Sequence, residues 1–579
     1  NVRDSFLGRT DWFGLSFVFI VFSLVFYWVL INQLANPRQW RWLLEILLFS
    51  GGMAALLFLL KIFFGFSFPG LAGVWNTVDG ANSPFGIWIV FHLFLAGSFV
   101  MRKNLGVGRS LFYFFLVLLH FTVLLVLGFT VLWWFLLIGL ILILLLGMIS
   151  LNEIRLGWLS FLFVLLILTV VFIVFGSPRF AQGALPAEIS LSAKASWDVA
   201  NNTMFSGVKN FLLGSGLGTF AADFSQFKTV DFNYNSLAWS LRFNQPANSF
   251  LAILTEGGMV MFLLFIFILL FVLGYATQIL YRLRRSGFLQ SLGIPLTGDS
   301  QESALEVFAL LGGWILLWVG MALNFFGPVL LWLWWLVLGL LIVGLHQLGG
   351  QAVMKEKVWA LEETPQHNLV FSFALIVMMA AVIMVGVWGA RFYLAEYNYT
   401  RALSSPDLAT AENYLNQAIG QRNNFDLYQV TLARVYLLQA VEENKKNSPV
   451  QDKVAGLIAQ AVNRAKIATD LSPKSVAIWE NLATMYENAA MLVPEAKDWA
   501  VKSLAQAIEL EPVNPVLYWR LGNVYLQSGE TDKAIENYQK AIANKSDYLG
   551  AYVGLAAVYE KKQDFDKAIG SYSSILPLA

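Results

Sequence analysis

Apolar residues run almost unbroken through the first two thirds of the chain, in stretches separated by short polar or glycine-containing breaks. A helix needs about 20 residues to cross roughly 30 Å of hydrocarbon. Ten stretches meet that length, at about 12–32, 42–64, 84–101, 110–128, 131–150, 157–176, 248–279, 304–325, 328–345 and 368–392. The fourth and fifth are parted only by Gly128, Phe129 and Thr130, which predicts a tight helical hairpin. From residue 393 the pattern changes to a mixture of charged, polar and apolar positions with helical spacing. The main boundary is therefore placed between 1–392 and 393–579.

The second part repeats itself. Tyr518, Leu521, Gly522, Tyr525, Ala534 and Tyr538 recur as Tyr552, Leu555, Ala556, Tyr559, Ala568 and Tyr572, with a constant offset of 34 residues. Looser copies run from Trp479, Leu482, Ala483 and Tyr486 to Ala500, Ala507 and Pro512, and from Leu432, Ala433 and Tyr436 to Ala461, Ala465, Ala468 and Pro473. Ala411, Leu415 and Ala418 form half a copy. Small residues at such positions let two helices cross closely, and large ones fill the space between them. The period and the residues resemble the TPR repeat. The predicted fold is all-α: a polytopic transmembrane helical bundle followed by a TPR-like α-solenoid. Absence of Pro and Gly over 391–403 predicts a helix running from the last span into the first repeat.

Composition agrees with the pattern. The chain of 579 residues is 58% hydrophobic and 13% charged, more apolar surface than a soluble protein of this length can hide. Basic residues sort the loops. Arg38 and Arg41, then Arg102, Lys103 and Arg109, then Arg155, then Arg282, Arg284 and Arg285, then Lys355 and Lys357 occupy alternate connections. By the positive-inside rule these face the cytoplasm, so the long loop 177–247 and residues 393–579 fall outside. The expected location is a cytoplasmic (inner) membrane, with the repeats on the periplasmic or external side. Glu45, four residues after Arg41, is expected to pair with it. His92 and His120 lie near mid-span and are expected to bond between helices as neutral imidazoles. A net charge of +1 gives no nucleic-acid footprint, and the absence of Cys excludes disulfides and thiolate ligands. No metal-ligand spacing and no cofactor motif is present. The start at Asn1-Val2, without Met or a signal-like segment, predicts a fragment with further spans before it.

Loop 177–247 is too long for a mere connection. Residues 195–212 read as an amphipathic helix. Leu213-Gly214-Ser215-Gly216-Leu217-Gly218-Thr219-Phe220 then places three glycines in five residues, which permits a tight turn. An aromatic stretch, Asp223 to Trp239, leads to Arg242-Phe243-Asn244-Gln245-Pro246-Ala247-Asn248 and into a span carrying Glu256-Gly257-Gly258. This order resembles the O-antigen ligase and polymerase family of bacterial envelope proteins. There a G-x-G-x-F turn is followed by His-Asn, Leu and Glu-x-Gly. SFLGRTDWFGL at 5–15 and GANSPFGIW at 80–88 are similar to other short motifs of that family. Ala247 stands where the family has its His, and Val131-Leu132-Trp133 stands where a span arginine is usual. Lys194 matches an arginine that precedes the loop tryptophan.

The resemblance implies a glycosyltransferase that moves a glycan from a polyprenyl-diphosphate carrier to an acceptor hydroxyl at the outer face. Its partners would be membrane lipid and the lipid-linked glycan. Arg9, Arg179 and Arg242 are candidates to clamp the diphosphate, because guanidinium forks match phosphate oxygens. Asn248 and Lys194 complete the candidate binding set. The alternative for each arginine is a loop residue bonded to backbone carbonyls. Asp223, Asp231 and Glu256 are the candidate bases for the acceptor hydroxyl. Glu256 lies nine residues after 247, about half a turn away in azimuth on a straight helix, so it does not simply replace the missing His. Its alternative role is a carboxyl bonded between helices. A second function class stays open: a catalytically inactive relative whose repeats bind a protein, acting as an envelope scaffold. Transport is disfavoured, because no pair of interrupted helices recurs in two matching halves.

Overall fold

A computed structural model describes residues 16–576, except 35, 67–77, 80, 104, 150–154, 179–184, 186–187, 292–298, 349–364, 447, 449 and 492. Arg9, Arg179, Lys355, Lys357 and the 5–15 motif lie outside the described residues. Among the described residues the secondary structure is helical, with no strand. Each of the ten apolar stretches carries a helix. Eight are long and apolar enough to cross a membrane, and Val18–Gln33 and Thr130–Leu146 are shorter apolar helices. The chain divides into two compact units. One comprises Val2–Phe220 and Phe243–Glu356; the other comprises Ala221–Arg242 and Lys357–Ala579.

The first unit is built around helix Asn82–Val100, which is buried along nearly its whole length. It packs against helices Pro37–Phe64, Val107–Leu127, Thr130–Ile149 and Asp299–Leu323. Phe85, Phe91, Phe94 and Leu95 are fully enclosed. Leu156–Phe175 and the stretch Ser249–Ile279 are peripheral, with little of either buried. Polar groups inside the bundle find local acceptors. Ser98 and Thr169 each donate to the carbonyl four residues earlier, and the Trp40 indole donates to Leu340 O at 2.8 Å. His92 meets Trp88 O at 2.8 Å on its own helix and Leu47 O at 3.1 Å on another, and stacks on His120 with ring centroids 6.0 Å apart. A bridging imidazole at His92 matches the expectation; His120 bonds its own helix, at Leu116 O.

The basic loops meet an acid that local spacing did not reveal. Glu306 is buried and takes Arg41 Nε at 3.2 Å and Arg102 Nη1 at 2.5 Å. Arg155 donates to the carbonyls of Lys103 and Leu105. The expected Arg41–Glu45 pair gives way to these contacts, and exposed Glu45 approaches Arg109 at 3.8 Å instead. A carboxylate withdrawn from water gains more from two guanidiniums than a solvated one gains from a neighbour one turn away.

The second unit begins with helix Pro365–Leu403, 39 residues without interruption, as the sequence over 391–403 predicts. Its C-terminal end is the first helix of a hairpin with Leu408–Gln421. Ala395 and Ala402 face Ala418, Ala411 and their neighbours in the buried cores, so the half copy read from Ala411, Leu415 and Ala418 has its missing partner in the apolar helix. Four further hairpins follow: Asp426–Asn444 with Gln451–Leu471, Val476–Ala489 with Ala496–Leu510, Pro515–Gln527 with Thr531–Asn544, and Leu549–Lys561 with Phe565–Ser573. The 34-residue pattern is their core. Tyr538 is fully buried against Gly522 and Gly554, where an added Cβ would lie 2.7 and 2.5 Å from its ring, and its hydroxyl donates to Asn523 Oδ1 at 2.7 Å.

Two stability experiments follow from this packing. Tyr538→Ala should lower the stability of the array by about 3–5 kcal/mol, the usual cost of emptying an aromatic site. The measure is the urea midpoint of the array transition followed by circular dichroism. Glu306→Ala leaves two guanidiniums without their carboxylate and should cost about 2–4 kcal/mol, reduced from a fully buried pair because Arg41 is partly solvated. Thermal unfolding in detergent should rank Glu306→Ala below Arg102→Ala, and Arg102→Ala below Arg41→Ala.

Candidate functional site

The glycine turn and the start of the seventh apolar stretch form one piece of the first unit. The stretch is not a single α-helix. Asn248 caps a short helix, Ser249–Ala252, by accepting from Leu251 N at 3.0 Å. Ile253–Gly257 then forms a π-helical turn, and Gly258 takes φ 67°, ψ −169° before a long helix resumes. The half-turn offset between 247 and 256 on a straight helix therefore does not apply. Gly214, Gly216 and Gly218 have φ of 70°, 121° and 72°, a region that L side chains avoid. Gly214 also presses backbone to backbone on Glu256, where a Cβ would come within 2.3 Å. Ser215 N donates to Thr255 O at 3.0 Å and Gly216 N to Glu256 O at 3.1 Å.

Glu256 is buried, and both of its carboxylate oxygens are engaged. Oε2 accepts from Gly218 N at 2.9 Å and Oε1 from Phe220 N at 3.0 Å. Phe220 opens helix Phe220–Phe227, so the carboxylate sits at a helix N-terminus, where it complements the dipole. Glu256 thus shapes the glycine turn. Ala247 N donates to Ser196 Oγ at 2.9 Å, which ties that position to the amphipathic helix Ala193–Met204. Lys194 is exposed on the same helix. Asn248 is committed to its capping bond.

The remaining candidates lie in the second unit, because Ala221–Arg242 folds with the repeats. Asp223 is buried in the first turn of Phe220–Phe227, and Asp231 is exposed on a 3₁₀ turn, Val230–Tyr234. Arg242 is bonded to repeat carboxylates. Its Nη1 meets Glu480 Oε2 at 2.6 Å, and its Nε and Nη2 meet Glu511 Oε2 at 2.8 and 2.6 Å. Lys228 Nζ approaches the other oxygen of Glu511 at 2.5 Å, from a buried position over the rings of Phe224 and Phe232. Asn514 Nδ2 adds a bond to Glu511 at 2.9 Å. Two cations and two carboxylates thus form a closed quartet. Burial alone would raise the Glu511 carboxyl, but Lys228 and Arg242 outweigh it and hold the group below its ordinary value of 4.5. The stabilisation this gives is complete above that value and is lost as pH falls through the depressed one, while burial pulls the Lys228 ammonium below its ordinary value despite Glu511.

The segment continues along the next turn of the array. Asn233 Nδ2 donates to Val513 O at 2.7 Å and Asn544 O at 3.0 Å, and Lys545 Nζ donates back to Asn233 O at 2.8 Å. Lys545 lies over the rings of Tyr234 and Trp239, and Trp239 packs edgewise on Tyr548. Lys228, Asn233, Glu480, Glu511 and Lys545 were absent from the candidate set. One signal was available: Glu511 and Lys545 occupy the same position of consecutive repeats, 34 residues apart. What neither sequence position reveals is the partner.

Among the described residues no group of three His, Cys, Asp or Glu could hold a metal ion. Comparison with known proteins concerns the array. Residues 522–563 match the family described as TPR repeat. Tetratricopeptide repeat protein 13 of Homo sapiens is 25% identical over 166 residues, which are 28% of this chain and 19% of that protein. The TPR repeat-containing protein YpiA of Bacillus subtilis (strain 168) is 25% identical over 115 residues, 20% of this chain and 26% of that one. The chain thus spans about a fifth to a quarter of the length of these relatives. Among solved structures, MamA is 25% identical with a TM-score of 0.26, covering 31% of this chain and 93% of that one. TTC0263, a thermophilic TPR protein in Thermus thermophilus, is 21% identical with a TM-score of 0.24, covering 33% and 91%. Residues 522–563, within the last two hairpins, are thus shown as TPR repeat.

Proposed function

We propose that the chain is a membrane-anchored TPR protein that holds a protein-interaction array beside the bilayer and works as an envelope scaffold. The observation that carries this reading is the helix Pro365–Leu403. Its apolar length suffices to cross a membrane, and its end is the first helix of the array, so anchor and binding module are one rigid element. The positive-inside rule, applied to Arg41, Arg102 and Arg155, supports a cytoplasmic position for these residues, and on this reading the array lies on the outer side of an inner membrane. Exposed apolar side chains on the repeats, among them Trp499, Leu549, Val553 and Ile569, offer contact points for a protein.

A second reading, glycan transfer from a polyprenyl diphosphate, keeps one specific support. The glycine turn at 214–218 and Glu256-Gly258, two pieces of the resemblance, meet through backbone bonds. On this reading Arg242, Arg9 and Arg179 would hold the diphosphate, with Lys194 and Asn248 beside them and Asp223, Asp231 or Glu256 as the base. Arg242 would first have to leave Glu480 and Glu511.

Two measurements separate the readings. A photoreactive amino acid at Trp499 or Val553 in living cells should give one reproducible protein adduct, absent when it is placed at Trp28. Adducts equal at all three positions would reject the scaffold. Carrier-lipid binding and glycan transfer should be assayed separately in the unmodified chain, Glu256→Gln and Ala247→His. The scaffold reading expects no transfer from any of them. Transfer by the unmodified chain that falls at least a hundredfold in a folded Glu256→Gln protein would replace it with the transferase.

A further inference from the structure

Segment 221–242 belongs to the array in space but not to its repeat. It contributes no hairpin, and it binds through side chains to features that the repeats present in series. The residue that follows the second helix takes a similar backbone conformation in the first four hairpins: φ and ψ are −148° and 82° at Arg422, −137° and 68° at Ser472, −141° and 73° at Glu511, and −155° and 98° at Lys545. This recurrence sets four side chains at equivalent turns between hairpins, with Arg, Ser, Glu and Lys as their heads. The segment uses the last two. Glu511 takes Lys228 and Arg242, and Lys545 takes the Asn233 carbonyl and lies against Tyr234 and Trp239. The carbonyls of Val513 and Asn544, one beside each turn, are read by a single Asn233 amide.

This is how a ligand is read: side chains of an irregular stretch meet a periodic surface at repeat spacing. The anchoring is also uneven. Lys228 is enclosed, whereas Arg242 and Glu480 retain some exposure, and Tyr234 and Leu237 between them are half or more exposed. The Arg242 end is the more solvated of the two.

We propose that the row of turns carrying Glu511 and Lys545 is a recognition site for an irregular, turn-containing basic and aromatic protein segment, and that residues 228–242 occupy it in cis. The incoming segment must bring a cation for Glu511, a second cation shared with Glu480, an amide for the paired carbonyls, and an aromatic ring for Lys545 and Tyr548. Because the resident segment is tethered, its effective concentration is on the order of millimolar, so only a partner with better chemistry or local enrichment displaces it. The proposal rests on the scaffold reading and names the class of partner that this face accepts.

The test uses the full chain in detergent, with a labelled synthetic peptide of residues 224–242 as the probe. The unmodified chain should bind it weakly. Lys228→Met with Arg242→Ala should empty the site and tighten binding at least tenfold, and adding Glu511→Gln should remove that gain. A peptide with both cations replaced by Met should bind to none of them. Equal binding by the unmodified and emptied chains, or a gain that survives Glu511→Gln, would overturn the proposal. A second measurement covers variants that fold poorly. The chain has no Cys, so Tyr234→Cys with Ser546→Cys gives a single pair for a short bismaleimide. Cross-linking should be efficient and should fall at least fivefold with millimolar peptide; a yield that the peptide does not change overturns the proposal. A protein adduct at Trp499 or Val553 together with a failed peptide test would leave the scaffold standing and remove only this site.

Discussion

Glu511 has no access to solvent, and a carboxylate in that position must have its charge met by the protein. The array itself supplies one amide, from Asn514. The cations come from Lys228 and Arg242, which precede it by 283 and 269 residues. This requirement holds Lys228 and Arg242, and with them the stretch between, against the repeats. It also changes what Arg242 is for. A guanidinium with two carboxylate partners is already neutralised, and a diphosphate would have to compete with both.

The parts of the fold legible in the sequence are those written in a period. Apolar length marks the helices of the first unit, and an offset of 34 residues marks the hairpins, because both depend on contacts that recur at fixed spacing. The first hairpin was half hidden for the same reason: its leading helix carries apolar residues that read as the end of a span, although Ala395 and Ala402 are repeat-core residues. Hydropathy is equally blind to the π-turn at 253–257, since inserting one residue into a hydrogen-bond register leaves composition unchanged.

Pairings between distant polar residues were not legible. Arg41 has an acid one turn away, yet it joins Arg102 on Glu306; the apolar stretch around 306 hints at burial but names neither partner. The glycines at 214, 216 and 218 did announce a turn, and all three adopt positive φ; what they could not announce is that the turn exists to wrap the backbone of Glu256. Chemical type alone does not distinguish a carboxylate that awaits a proton from one that already accepts two backbone amides.

The unbroken helix from Pro365 to Leu403 sets a phase relation. The helix is about 58 Å from end to end, and with no break between its apolar part and the hairpin that uses its final turns, the bearing of the first repeat is locked to the rotation of that helix about its own axis. Each residue of an α-helix turns the chain by about 100°. One residue added between the apolar stretch and Ala395 would therefore swing the array's faces by more than a quarter of a circle without disturbing a single contact inside it. A partner that must meet both the apolar part of the helix and the repeats would register that single-residue change as a different compass direction.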